Sequence, residues 1–205
     1  MTVHLHKGDL PGGLSLGSLV AVDTETMGLR PERDRLCLVQ LSAGDGDAHL
    51  VQFANGSYEA PNLKRLLGDP KTTKLFHFAR FDLAALETYL GVSVAPVYCT
   101  KIASKLVRTL TDKHGLKDLC SELLGVSLDK QQQSSDCGAA ELSQQQRAYA
   151  ASDVLHLHKL KTKLDDLLLR EGRMEIAEAC FAFLPTRAAL DRLGYGDDDG
   201  DIFHH

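Results

Sequence analysis

The sequence predicts an α/β fold in which a mixed sheet, opening with a three-strand antiparallel meander and extended by further strands, is flanked by helices. Three observations predict it. Short apolar segments bounded by Gly, Asp or Pro clusters fill the first half, strand and helix patterns alternate from Lys74 onward, and an apolar stripe at helical spacing runs through the last third. With 205 residues, 43% apolar and 25% charged, the chain has material for one compact domain and little more.

The meander is read from Leu19 to Asp23, Leu36 to Ser42 and His49 to Phe53, with Gly44-Asp45-Gly46 as one of the tight connections. Lys74 to His77 reads as the next strand. Phe81 to Leu90 then carries apolar residues at helical spacing, with Gly91 as its C-cap. Val94 to Cys99 is a weaker strand after which Thr100 would cap a basic helix, and Gly115 to Leu124 forms another short helix ended by Gly125. Between Val126 and Leu142 the composition turns to Gln, Ser, Asp and Gly, which predicts a polar loop of a length suited to the substrate side of a site. Ser143 is a good N-cap for the longest predicted helix, which runs to Arg170 with a stripe through Tyr149, Leu157, Leu160, Leu164 and Leu168. A last helical stretch from Met174 is expected to kink or split near Pro185. The domain is read as residues 1–193. Residues 194–205, with Asp197-Asp198-Asp199 and His204-His205, read as an acidic, disordered tail.

Composition narrows the function. No segment approaches the ~20 apolar residues of a membrane helix, and the first residues lack the pattern of an export signal, so a cytoplasmic protein is expected. The five cysteines are far apart and form no Cys-x-x-Cys pair, which argues against a disulfide framework and a zinc cage. A net charge of −5 repels polyanions at long range, so any nucleic-acid contact must be local. Lys101, Lys105 and Arg108, spaced by four and three, share one side of a helix, with Lys113, His114 and Lys117 close behind. Alone, that pattern fits a solvated helix face equally well.

The chemistry lies in scattered acids. Asp23 and Glu25 end an apolar strand and alternate onto the same face, where two crowded carboxylates call for a hard cation or a raised pKa. Asp82 stands where a strand feeds a helix, in the run Phe76-His77-Phe78-Ala79-Arg80-Phe81-Asp82; alone it also reads as a helix N-terminal charge. Tyr149 and Asp153 are four apart on the long helix, so their side chains emerge one turn apart on one face.

An acid pair on the first strand, an acid at a later strand-to-helix junction and a Tyr-x-x-x-Asp on a late helix together resemble the three motifs of the DEDD exonucleases, in the tyrosine subgroup. The resemblance is closest to ribonuclease D, over about Val20 to Leu160, and takes in Gly115-Leu116-Lys117-Asp118-Leu119, Leu124-Gly125-Val126, Leu128-Asp129-Lys130 and Ser135-Asp136. The chain departs from that family at Phe78, where a polar residue such as Asn is usual, at Cys99 for Asp and at Cys137 for Trp. Ala139-Ala140 also replaces an expected Arg.

The resemblance implies a ribonuclease H-like catalytic domain without the C-terminal helicase-and-RNase-D domains, trimming single-stranded RNA 3′ ends with two divalent ions, Mg²⁺ or Mn²⁺. Asp23 would bridge the ions, Glu25 and Asp153 would complete one shell, Asp82 would support the second ion and Tyr149 would orient the attacking water. An all-oxygen set suits these hard cations, whereas zinc would recruit Cys or His. Thr26, Met27 and Gly28 would contact the terminal nucleotide, with Met27 as an apolar wedge. Lys101, Lys105 and Arg108 would track the backbone upstream. His77 is a candidate for touching substrate or metal, with a purely structural role as its alternative. Two rivals stand beside this reading: a DNA proofreading or repair exonuclease with the same carboxylates, and a catalytically silent nucleic-acid-binding module on the same fold.

Overall fold

The computed structural model describes residues 2–30, 33–53, 56–128, 137–196 and 202. Six strands form one sheet: β1 (Val3–Lys7), β2 (Leu19–Thr26), β3 (Leu36–Ser42), β4 (Ala48–Gln52), β5 (Thr73–Phe76) and β6 (Val97–Cys99), in the spatial order β1-β4-β3-β2-β5-β6. β2, β3 and β4 make the expected antiparallel meander, while β5 joins β2, β6 joins β5 and β1 joins β4 in parallel. Every residue of β3 is buried, so the sheet centre is covered on both faces. Helices α1 (Pro61–Gly68), α2 (Ala79–Leu90), α3 (Thr100–Val107), α4 (Leu116–Leu119), α5 (Gln144–Leu155), α6 (Leu157–Arg170) and α7 (Met174–Arg192) surround it.

The parallel arrangement of β2, β5 and β6 has one consequence for function. The C-terminal ends of all three lie at the same rim of the sheet, where ligands of α/β sheets commonly bind. Asp23 and Glu25 end β2, His77 and Phe78 follow β5, and Lys101 and Lys105 follow β6.

Several elements differ from the sequence-based expectation. The helix expected from Ser143 to Arg170 is two helices that meet at His156, although Ser143 caps α5 with a reciprocal Ser143–Gln146 capping box as anticipated. The division follows the partners: α5 lays Ala150, Ala151 and Val154 on the meander, whereas α6 packs Leu157, Leu160, Leu164 and Leu168 towards α3, α7 and β5. Burying each of those leucines contributes about 1.5–3 kcal/mol, enough to redirect the chain at one residue. Conversely α7 runs unbroken through Pro185 and is the longest helix among the described residues. The ring removes one amide donor, but Phe181, Leu184 and Ala188 stay buried along one side, and α7 packs against α2, α3 and α6. Thr100 is the first residue of α3 rather than its cap; Cys99 holds the cap position without a side-chain bond. The helix expected over Gly115 to Leu124 is α4 followed by a π-helical turn, Cys120–Leu124, and Gly125 ends it in the left-handed conformation (φ 68°). β1 and α1 were not anticipated. Of the polar loop, Leu128-Asp129-Lys130, the glutamines and Ser135-Asp136 lie largely outside the described residues, as do residues 197–201 and 203–205 of the tail.

Candidate active site

At the end of β2, Asp23 pairs across the ladder with Gln40 and Glu25 with Leu38, and the register slips between Glu25 and Thr26. That irregularity re-aims the chain into a turn. The Met27 amide donates to Arg35 O (3.0 Å), and the Thr26 hydroxyl donates to Gly28 O (2.5 Å). The side chain of Met27 is left 51% exposed at the rim. Gly28 is required by close approach: a Cβ there would lie 2.2 Å from Asp34 Oδ2, and Asp34 is itself held by Arg33 and the Arg30 amide. Gly28→Ala is therefore expected to destabilise the protein by about 1–3 kcal/mol, read as a lower Tm, because the clash is with a carboxylate fixed by three hydrogen bonds.

Asp82 lies in the first turn of α2, buried, and its Oδ1 accepts a 2.7 Å hydrogen bond from the Thr24 hydroxyl. Thr24, between Asp23 and Glu25 in β2, thus ties Asp82 to the strand end that carries those acids. α5 delivers the remaining two groups. Its buried Ala150 and Ala151 let it lie close over the meander, and Tyr149 and Asp153 project one turn apart.

Asp23, Glu25 and Asp153 each offer a carboxylate oxygen, and the three oxygens lie within 4.8 Å of one another; among the described residues no other His, Cys, Asp or Glu group meets that condition. All three are half-buried. Burial, then the charges of Asp82, Asp153 and Glu25, holds the Asp23 carboxyl well above the usual range. Burial and then Asp153 push Glu25 up to about 7, and burial lifts Asp82 to about 8 against the Thr24 hydrogen bond. Close negative oxygens with few internal cations form a site that a divalent ion would neutralise. Gln40 adds to the fit, since its Nε2 donates to Asp23 Oδ2 (3.2 Å) while its buried Oε1 has no partner. Tyr149 is raised by burial and by Asp153, Glu25 and Asp23, which keeps the phenol protonated and able to donate.

The other candidate residues divide. Lys101 and Lys105 reach the rim from α3, and neither forms an ion pair among the described residues. Arg108 ends α3 instead, donating to Ser104 Oγ (3.2 Å) and Lys113 O (2.6 Å) and pairing with Glu122, so its guanidinium is occupied by the fold. His77 Nδ1 meets Thr100 Oγ1 at 2.9 Å. Because that hydroxyl donates to Phe76 O (3.2 Å), the imidazole must donate, which fixes the Nδ1–H tautomer. Burial and then Lys101 hold the ring down to about 3, so it is neutral, and the contact to Thr100 ties β5 to α3. Cys137, at the return of the polar loop, donates its thiol to Thr26 O (3.4 Å), while Arg35, Gln52 and Lys7 hold the carbonyls of Gly138, Ala139 and Ala140. The loop's return is thus pinned beside the Thr26–Gly28 turn. Thr24, Gln40, Asp34 and Thr100 were missed by sequence reasoning; the only signal for Thr24 and Gln40 was a polar residue inside an apolar strand.

The sequence profile of the 3′-5′ exonuclease family matches residues 13–169. The chain belongs to that 3′-5′ exonuclease family. Among relatives of this exonuclease, ribonuclease D of Gluconacetobacter diazotrophicus is 38% identical over 171 residues, covering 83% of the chain and 43% of the relative. The chain therefore spans about two fifths of the length of that ribonuclease D. DNA polymerase I of Aquifex aeolicus is 37% identical over 147 residues, 72% of the chain and 24% of the polymerase. Among solved structures, Brucella melitensis NrnC with bound Mg²⁺ superposes with a TM-score of 0.95 at 55% identity and covers 100% of both chains. The same NrnC bound to pGG matches at 56% identity, also with a TM-score of 0.95, covering 100% of the exonuclease chain and 99% of NrnC. The mixed sheet is that of the ribonuclease H-like exonucleases, as in Escherichia coli RNase D (TM-score 0.72). No helix among the described residues is long and apolar enough to cross a membrane.

Proposed function

We propose that this exonuclease hydrolyses phosphodiester bonds from the 3′ end of RNA, releasing nucleoside 5′-monophosphates, with Asp23, Glu25, Asp82 and Asp153 holding two divalent ions, Mg²⁺ or Mn²⁺. The observation that carries this reading is the meeting of the Asp23, Glu25 and Asp153 oxygens within 4.8 Å, beside Asp82. Such ions, when bound, lower the pKa of the attacking water and neutralise charge on the phosphate and the leaving oxygen.

The protein's own residues do the rest. The charges of both Asp153 and Asp82 act on Asp23, so Asp23 would share in holding the ions with each of them. Thr24 fixes Asp82, and Gln40 fixes Asp23, so that neither carboxylate has to reorganise. The protonated Tyr149 donates a hydrogen bond to orient water rather than removing its proton. Tyr149→Phe is accordingly expected to lower kcat by roughly 10–100-fold with little change in RNA affinity. An unchanged single-turnover rate would exclude the water-orienting role. Met27 meets the terminal base and Lys101 and Lys105 meet backbone phosphates, so affinity should fall as salt rises. The catalytic unit comprises residues 1–193 and works in the cytoplasm.

Digestion of 3′-labelled and 5′-labelled single-stranded RNA, with Mg²⁺, Mn²⁺ or chelator, tests the proposal. Stepwise loss from the 3′ end, abolished by chelator, is the expected result; metal-independent or internal cleavage would overturn it. The kinship with DNA polymerase I favours a second reading, DNA as substrate, which matched DNA oligonucleotides in the same assay address. Because Brucella NrnC is found with pGG, that molecule is an apt short substrate to include.

A further inference from the structure

The first turn of α2, α3 and α7 enclose a groove of about 290 Å³ lined by Phe78, Cys99, Lys101, Lys105, Phe183 and Leu184, among others. Phe78 is its unusual member. It is, among the described residues, the only one other than glycine with a positive φ (φ 68°, ψ 42°). A side chain in this region costs about 1–2 kcal/mol, which Gly would avoid and Asn would reduce. Burial offsets the cost only in part, because Phe78 is 45% exposed. An exposed aromatic held in a strained conformation points to a contact made outside the folded chain.

The surroundings indicate what that contact is. The Lys101 ammonium lies 3.9 Å from the centroid of the Phe78 ring, and Lys105 follows one turn along α3, exposed. Phe78 precedes Asp82 by one helical turn, about 6 Å along α2. Across the rim the order is thus the β2 carboxylates, Asp82 with Phe78 after β5, and the two lysines after β6. An aromatic ring with a lysine ammonium over one face and a second lysine one turn further along α3 matches the two parts of a single-stranded nucleotide, a base for the remaining face and its phosphate for the cations.

We infer that Phe78 is a stacking platform for a nucleobase upstream of the scissile bond, with Lys101 and Lys105 on the adjoining phosphates. This assignment rests on the exonuclease reading above and extends it to the strand that enters the site. It makes Phe78 a determinant of how much the enzyme gains from nucleotides beyond the terminal one.

The test compares two substrates with Mn²⁺: a pentaribonucleotide, and the p-nitrophenyl ester of thymidine 5′-monophosphate, which has no upstream nucleotide. For Phe78→Ala, kcat/KM on the RNA is expected to fall about 10-fold relative to kcat/KM on the ester, as loss of one base–aromatic stack predicts. Phe78→Asn, which suits the left-handed backbone, is expected to show the same fall with a Tm at or above that of the wild type. If wild type and both variants share one RNA-to-ester ratio, the platform is wrong. If the wild-type protein hydrolyses neither substrate, the exonuclease reading itself fails and takes the platform with it.

Discussion

Asp153→Asn is expected to lower kcat/KM for RNA by at least about 10³-fold while raising the Tm of the metal-free protein at pH 8. The loss follows from removing one of three oxygens that converge within 4.8 Å, since a divalent ion stabilises developing charge by several kcal/mol and depends on each ligand. The gain in stability has the opposite origin. Without a cation, Asp153 raises the pKa of both Asp23 and Glu25, so its negative charge opposes folding at neutral pH. A neutral amide of the same shape removes that repulsion, for an expected gain of about 2 kcal/mol or roughly 4–8 °C. Thermal unfolding in chelator, run beside the nuclease assay, checks both signs. A variant that degrades RNA at the wild-type rate would exclude the site.

The pH dependence of stability follows from the same crowding. Unfolded, these acids titrate near pH 4; folded, Glu25 is pushed up to about 7, Asp82 to about 8, and Asp23 well above its usual value. The folded state therefore holds more protons than the unfolded chain over this range, so stability falls as pH rises through the folded values. Below pH 6.5 the buried His77, held neutral, works in the opposite direction, so the carboxylates are best read between pH 6.5 and 8.5. In chelator, stability is expected to drop by about 2–3 kcal/mol across that window. Saturating Mg²⁺ should restore it at pH 8.5, because the ion binds the folded, deprotonated form. Equal stability at both ends of the window in chelator would mean that the acids are not crowded in solution.

How much of this was legible in the sequence depended on whether a feature lay within one regular element. The meander could be read because Leu36–Ser42 and its neighbours are short apolar runs closed by turn residues. β1 could not, because its alternation is short and rests on Val3 and Leu5 alone; His4 and His6, on the other face, lie against His49 of β4, and an edge strand shows only half the usual apolar signal. The break at His156 was hidden because the apolar stripe continues through it, and only the third dimension reveals that α5 and α6 face different partners. The same logic governs the site. Asp23 with Glu25 and Tyr149 with Asp153 are pairs fixed by strand and helix periods, and the structure brings Asp23, Glu25 and Asp153 together from opposite ends of the chain. Thr24 escaped notice because its partner Asp82 is 58 residues away, and the internal partners of Arg108 could not be read because Glu122, Lys113 and Ser104 meet it only once α3 and the following turn have packed.

Titration of Mn²⁺ into the metal-free protein by calorimetry, with Asp23→Asn as the comparison, asks whether the converging carboxylates hold a cation at all. Saturable binding by the wild type that disappears in Asp23→Asn is the predicted result. A wild-type protein that takes up no Mn²⁺, or an Asp23→Asn variant that binds it as tightly, would contradict the account.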